Sequence, residues 1–413
     1  MTGMGERLRG WLHPGWAWTV RYPRIVPFGY SLGSLALGVG LSALGALVPG
    51  GLTAAQDQRL QRLMWIAFVV AAVAYAAAEV ARQGRNRMLK RNGTAYIVRE
   101  RARDWDADDS DDFHGQVRRR FARVLEVPGP GRTGRAWDWP LDTDARHWNG
   151  KVTELVRSFR VLYLASREPG VPNAVFVTAW WAVALAFGRR VTAGDRSLDL
   201  EVWQRRSRGR AGKVDPQIWR QHGHRFGDIP AVQGSAGLVF RELFWDADLT
   251  VVRGNDHGGI PDGNPVSVLL LRFGHAPWKP LPAVDAEPAD PDPWPLTLQD
   301  TAGVIPVKGA ASVRIHELRC TPPGVAQQFD WADFPVLAAQ AVAWVQRKSA
   351  ELAGHVLLLG TTIPNELALG IGIAAGQESC FAWPSHLWPI VYRKPADSYV
   401  VPHLELGTDA VRE

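Results

Sequence analysis

Only two cysteines, Cys320 and Cys380, occur in the 413 residues. A disulfide-stapled scaffold is excluded on that count, and a reducing compartment suits the chain. Acidic charge is also in deficit, since 41 Asp and Glu stand against 47 Lys and Arg and leave a formal net charge of +6. That excess is compatible with nucleic acid, an anionic membrane surface or an anionic ligand, and its placement decides between them. From Ile25 to Gln56 charge of either sign is missing altogether.

The charge-free run contains "IVPFGYSLGSLALGVGLSALGALV", long enough to cross a bilayer, which takes about 20 residues of helix. A second run, "LMWIAFVVAAVAYAAA" from Leu63 to Ala78, spans if Glu79 lies at headgroup level and Val80 and Ala81 complete the helix. Pro49, Gly50 and Gly51 break the chain between them, which predicts a helical hairpin over residues 25–81 after a short segment, residues 1–24. Arg7, Arg9, Arg21 and Arg24 precede the hairpin, and Arg82, Arg85, Arg87, Lys90 and Arg91 follow it. The loop holds only Arg59, Arg62 and Asp57. By the positive-inside rule both termini face the cytoplasm, and the basic cluster after the second span contacts anionic headgroups. The length of the first span and the second one behind it weigh against a cleaved signal peptide. Gly29 and Gly33 have the spacing of a close helix contact, either within the hairpin or between copies of it.

Residues 82–150 turn polar and are expected to form a connecting region. An EF-hand loop starting at Asp104 in "RERARDWDADDSDDFHG" needs Gly at its sixth position and an acid at its twelfth. Asp109 and Gly115 stand there instead, and a solvated linker or surface loop is the reading. Beyond Lys151 helix-like and strand-like segments alternate, which predicts an α/β arrangement. "PNAVFVTAWWAVALAFGRR" is expected as a buried helix, and "SLDLEVWQRR", "GLVFRELFWD" and "VSVLLLRFGH" as strands, the last a central one. The Pro- and Asp-rich "APWKPLPAVDAEPADPDPWPL" separates a first half, about residues 151–280, from a second, about 310–413. The second half runs strand, helix, strand, helix, strand from "SVRIHELRC" to "LWPIVYR", which makes a parallel unit the economical topology.

Within that unit "HVLLLGTTIPNELALGIGIAAGQ" places Thr361 and Thr362 at the carboxyl end of a strand and Pro364 in the first turn of a helix. The free N–H groups of that turn offer a place to a phosphate or ribose. Gly370, Gly372 and Gly376 come too late for a phosphate loop and predict tight packing; no lysine follows them, so nucleotide hydrolysis is not supported. No G-x-S-x-G elbow is present. His222, His224, Asp256 and His257 would make a metal site only if their loops converged, and exposed loop histidines are the simpler reading.

Two membrane spans followed by a two-part α/β region that ends in "HVLLLGTTIPNELALGIGIAAGQ" and "LWPIVYR" resemble the SAVED sensor domain fused to a two-helix membrane effector. Such proteins belong to CBASS, the cyclic-oligonucleotide anti-phage systems of bacteria. The resemblance covers about Lys151 to Leu406 for the sensor, within residues 151–413, and Ile25 to Ala81 for the effector. It implies an α/β chain with an N-terminal two-helix transmembrane hairpin and a SAVED-like sensor of two fused CARF- and Rossmann-like halves. The ligand it implies is a cyclic di- or trinucleotide from a partner nucleotidyltransferase, with no catalytic residue, metal or cofactor and no direct nucleic-acid contact. Binding would drive homo-oligomerisation, and the hairpin would then act on lipids of the bacterial inner membrane, in abortive infection. Ligand contacts expected by position are Thr361, Thr362 and Asn365 in the turn, Trp203, Arg205 and Arg206 at a strand end, and Trp388 and Arg393 around the last strand. Two other readings stand beside this one. One is a membrane-anchored CARF-like nuclease or hydrolase that degrades a cyclic oligonucleotide, with Thr362 and His386 as the suspected pair; the other is a membrane-anchored protein-interaction module.

Overall fold

The computed structural model describes residues 25–47, 54–101, 108–127, 137–138, 148–167, 171, 173–193, 198, 200–203, 238–253, 265–274, 294–300, 302–305, 309–321, 329, 333–377, 383–384, 386–393 and 398–407. They fall into two compact units, one of residues 1–94, 111–124 and 167–172, the other of residues 95–110, 125–166 and 173–413.

The first unit is built on α1 (Ile25–Leu47) and α2 (Ala54–Asn92), of 23 and 39 residues. The helix α2 runs unbroken through Arg82 to Arg91, so the basic cluster is helical. Small residues let α1 and α2 approach. A Cβ at Gly29 would lie 3.0 Å from that of Ala78, one at Gly33 would lie 3.0 Å from the Tyr75 ring, and Gly40 faces Ala67 and Phe68. Rising numbers on α1 meet falling numbers on α2, so the pair is antiparallel, and Gly29 and Gly33 serve a contact within the chain. The Tyr30 hydroxyl donates to Glu79 at 3.1 Å, and Glu79 pairs with Arg82 at 2.6 Å. The Ser34 and Tyr75 hydroxyls share a second hydrogen bond at 2.8 Å, while Leu35, Leu41, Trp65, Ile66, Val69 and Val73 are each more than half exposed. Soluble monomers rarely carry so much contiguous apolar surface. Among the described residues one helix, Gln61–Asn92, is long and apolar enough to cross a membrane.

From Asp108 onward the acidic run expected as a loop is instead helical, as α3 (Asp108–Arg120), whose basic last turn suits the negative end of the helix dipole. Residues 82–150, expected as a connection, also supply β1 (Thr94–Arg101), β2 (Arg123–Glu126) and β3 (Trp137–Asp138).

In the second unit β1 joins a small sheet of order β2-β1-β4-β5, with β3 parallel to β1. Here β4 is Asn173–Thr178 and β5 is Leu200–Trp203. The segment read as one buried helix therefore splits into β4 and α5 (Trp181–Thr192). The residues of β4 include two valines and a phenylalanine, are buried at every position and pair in parallel with β5, which favours strand over helix.

The large sheet comprises β6 (Val239–Arg253), β7 (Val266–Phe273), β8 (Trp294–Asp300), β9 (Gly309–Thr321), β10 (Val356–Thr361), β11 (Leu387–Pro389), β12 (Val391–Arg393) and β13 (Ser398–Val401). Its order is β11-β10-β7-β9-β6-β8-β13-β12. The end strands β11 and β12 are separated in the chain by Ile390 alone, so the sheet curls round on itself. Trp245, Leu249, Val268, Leu270, Ile315 and Leu358 fill its inner face. On the outer face Leu269, Leu271, Leu318, Leu357 and Leu359 meet the helices α4 (Trp148–Ser166), α5, α6 (Phe334–Glu351) and α7 (Asn365–Gln377). The same core takes in Val175 and Val202, so the helices form a layer between the two sheets. The apolar run of β7 is central as expected, parallel to both β9 and β10. It thereby ties the strands before the Pro- and Asp-rich stretch to those after it in one sheet, so the expected division into halves does not divide the sheets.

Candidate functional site

The helices α5 and α7 touch backbone to backbone. A methyl group added at Gly188 would lie 2.5 Å from the Leu369 carbonyl oxygen, and one at Gly372 would run into the Leu185 carbonyl oxygen and lie 2.9 Å from the Arg189 nitrogen. One at Gly376 would strike the Thr192 hydroxyl, which itself donates to the Ile373 carbonyl at 3.2 Å. The late glycines are packing residues, as their place in the helix predicts. Positions rise together along both helices, so α5 and α7 are parallel and their amino termini lie at one end. Each helix follows directly on a strand, α5 on β4 and α7 on β10. Two strand-to-helix turns, Thr178–Trp181 and Thr361–Asn365, consequently open side by side at the carboxyl ends of parallel strands, where open α/β sheets bind ligands.

The second turn is well ordered by its own hydrogen bonds. Buried Thr361 accepts the Ile363 N–H on its hydroxyl at 3.1 Å, and the Thr362 N–H donates to the Leu271 carbonyl of β7 at 3.1 Å. The Thr362 hydroxyl is enclosed and has no hydrogen-bond partner among the described residues. Half-buried Asn365 opens α7, and Glu366 is buried in the first turn. A carboxylate there already occupies the positive end of that helix dipole. The first turn of α5 carries no acid, and Trp180 before it makes no side-chain cap.

Trp203 ends β5 at the same edge, opposite Phe176, whose ring centroid is 5.9 Å from its own. It is buried, and its indole N–H donates to Glu201 at 3.3 Å. Arg205 and Arg206 lie outside the described residues. Trp388 pairs with Leu358 and lies with it on the inner face of the curled sheet, the opposite face from α7. Arg393 ends β12 opposite Ser398, and its side chain lies outside the described residues. Thr361, Thr362, Asn365 and Trp203 thus share one edge, and Trp388 does not face it.

His386 stands just before Leu387, which pairs with Leu357 near the amino end of β10. Thr362 follows the carboxyl end, so the pair a hydrolase would use is about 20 Å apart along the strand. His386 is 79% exposed and lies 3.3 Å from Glu405. The residues His222, His224, Asp256 and His257 lie outside the described residues, among which no group of three or more metal-ligating side chains gathers.

Two features escaped the sequence reading. Thr178 and Trp180 form the counterpart of the Thr361 turn, and "VTAWW" carries the same strand-end threonine, hidden because the segment read as one helix. Arg272 and Arg319 are register neighbours near the carboxyl ends of β7 and β9. Both address buried Glu317, Arg319 at 2.7 Å and Arg272 at 3.6 Å, while the Trp245 indole N–H donates to it at 2.6 Å. Burial pushes the Arg272 guanidinium below its ordinary pKa, against the pull of Glu317 and with the help of Arg319. The one arginine inside the otherwise apolar "VSVLLLRF" was the available signal.

No family model and no curated protein matches the chain. Among solved structures it is similar to the Acinetobacter baumannii Cap4 SAVED/CARF-domain containing receptor with the cyclic trinucleotide 2'3'3'-cAAA, at a TM-score of 0.36 and 11% identity. The same receptor with 3'3'3'-cAAA gives 0.38 and 11%. Each match covers 89% of this chain and 62% of the receptor, so the chain spans less than two thirds of the receptor's length. TM-scores in this range lie below the level that marks a common fold, and the functional reading stands on this chain's own residues.

Proposed function

We propose that this chain is a membrane-anchored sensor of a cyclic di- or trinucleotide, a SAVED-type CBASS effector that binds its messenger without cleaving it. The observation that carries the reading is the enclosed Thr362 hydroxyl, without a partner among the described residues, beside two parallel helix amino termini. A cyclic oligonucleotide offers several phosphates and ribose hydroxyls at fixed spacing, and such a ligand calls for helix amino termini and polar contacts without acid, base or nucleophile. With Glu366 in the first turn of α7, a phosphate belongs at the amino terminus of α5, and Thr362 and Asn365 meet a ribose or base. The bare apolar surface of α1 and α2 supports a two-span anchor in the bacterial inner membrane with both termini cytoplasmic. Ligand from a partner nucleotidyltransferase would assemble several copies, and the assembled hairpins would breach the membrane and end the infected cell.

The test is a thermal-shift panel of cyclic oligonucleotides on the full chain in detergent. One member is expected to raise the melting temperature, and chromatography is expected to show no linear product. Thr362→Val should raise the stability of the unliganded chain by about 1 kcal/mol, because it removes a buried hydroxyl that has no partner among the described residues, and should weaken the ligand about tenfold. Unchanged affinity in that variant removes the turn from the site, and steady formation of linear product favours the enzyme.

A further inference from the structure

Backbone pairing across the large sheet sets one row of side chains at the end where the Thr361–Asn365 turn opens. The Thr362 N–H continues the ladder of β10 onto the Leu271 carbonyl at 3.1 Å, so Thr362 falls in register with Arg272 of β7. Arg272 pairs with Arg319 of β9, and Arg319 pairs with Arg241 of β6. Side chains alternate between faces along a strand, and Leu358, Leu270, Ile315 and Trp245 of these same strands fill the inner face. The row Thr362, Arg272, Arg319, Arg241 shares that face, and at about 4.8 Å per strand it spans about 14 Å.

Arginines side by side on β7, β9 and β6 work against folding, since like charges directly opposite in a ladder are destabilising. Glu317, two positions before Arg319 and on the same face, draws Arg319 at 2.7 Å and Arg272 at 3.6 Å. It fixes Arg319 through both Nε and Nη2, and the guanidinium carbon stands 5.8 Å from the Trp245 ring centroid. Arg241, at the far end of the row, is exposed and pairs with no described acid. An arrangement that local stability does not favour is the kind kept for function. An anion laid against Arg241 and Arg319 relieves the repulsion, and a phosphodiester presents the paired oxygens that guanidinium forks take.

We infer that Arg241 and Arg319 seat a second phosphate of the cyclic oligonucleotide, with Thr362 at the other end of the row against the neighbouring ribose. Fully enclosed Arg272 lies between them and acts through its charge, as a positioning residue. The seat deepens the proposed function and rests on its ligand reading, in which the first phosphate stays at the amino terminus of α5.

Isothermal titration on the full chain in detergent tests it, with cyclic di-AMP, cyclic di-GMP, cyclic GMP–AMP and cyclic tri-AMP as probes. Arg241→Gln is expected to weaken the probe that binds by about tenfold while the melting temperature of the unliganded chain holds or rises, and Arg241→Lys to recover part of the affinity. Arg314→Gln controls for net charge: Arg314 is exposed on the outer face of β9 against Asp246, and its loss should leave affinity unchanged. Full affinity in Arg241→Gln overturns the seat and leaves the sensor reading standing. Equal loss in Arg314→Gln overturns the seat too, since net charge then accounts for the effect. Binding of no probe by the wild-type chain overturns the sensor reading and the seat with it.

Discussion

Gly372→Ala is expected to lower the stability of the chain by about 1–3 kcal/mol, although it adds a single methyl group to a helix. In most helices the same change is favourable, because glycine loses more backbone entropy than alanine on folding. Here the methyl has no room, since it would run into the Leu185 carbonyl oxygen and lie 2.9 Å from the Arg189 nitrogen. Backbone atoms cannot swing aside, so α5 and α7 must part. Parting them also separates the two strand-to-helix turns, and ligand affinity should fall with stability. Gly150 in α4 is the control: it is exposed with nothing within 4 Å of an added Cβ, and Gly150→Ala should raise stability by about 0.5–1 kcal/mol. Urea midpoints of the two variants check the pair. Equal shifts in one direction would mean that the helix contact does not hold the turns together.

Glu317→Ala is expected to cost about 3–5 kcal/mol, the largest effect foreseen for one residue. Glu317 is fully buried, and its two oxygens take hydrogen bonds from Arg319 at 2.7 Å and 3.2 Å and from the Trp245 indole at 2.6 Å. Removing it takes away a carboxylate that both Arg272 and Arg319 address, so their like charges, in register on neighbouring strands, repel each other more strongly. The number reflects the cost of removing one member of a buried charge cluster and not the worth of the cluster. Replacing Glu317, Arg272 and Arg319 together by apolar residues of similar size should be near neutral for stability. Chemical denaturation of the single and triple variants distinguishes these outcomes, and a triple variant as unstable as the single one would show that packing matters there and charge does not.

Why some of this was legible in the sequence and some was not follows from what each signal measures. Helix α1 and the apolar part of α2 could be read because few structures besides a long apolar helix go without charge over so many residues. The inner strand β7 could be read on similar grounds, since a strand buried on both faces loses its alternation. The split of residues 173–192 into β4 and α5 could not be read, because a buried strand followed by a buried helix presents one unbroken apolar run without a period. Its consequence was that Thr178 and Trp180 were missed while Thr361 and Thr362 were found, although both turns begin at a strand-end threonine. Pro364 marked the second turn, and no proline marks the first. The helix α3 was hidden by its acids, which read as solvated loop, and its docking on α2 depends on backbone hydrogen bonds, from Ala122 to Leu89 and from Arg123 to Gly93, that no side-chain pattern records. Trp203 sits at the foreseen edge, yet its ring is buried against Phe176, a contact set by the register of β5 on β4, and its N–H is bonded to Glu201 two positions before it in the same strand.

Under the proposed function, ligand at the paired turns is coupled to damage of the membrane by α1 and α2. Dye release from vesicles carrying the full chain measures that coupling directly. The cyclic oligonucleotide which raises the chain's melting temperature is expected to release the dye as well, while its linearised form does neither. Saturated binding of that ligand with the dye retained would contradict it.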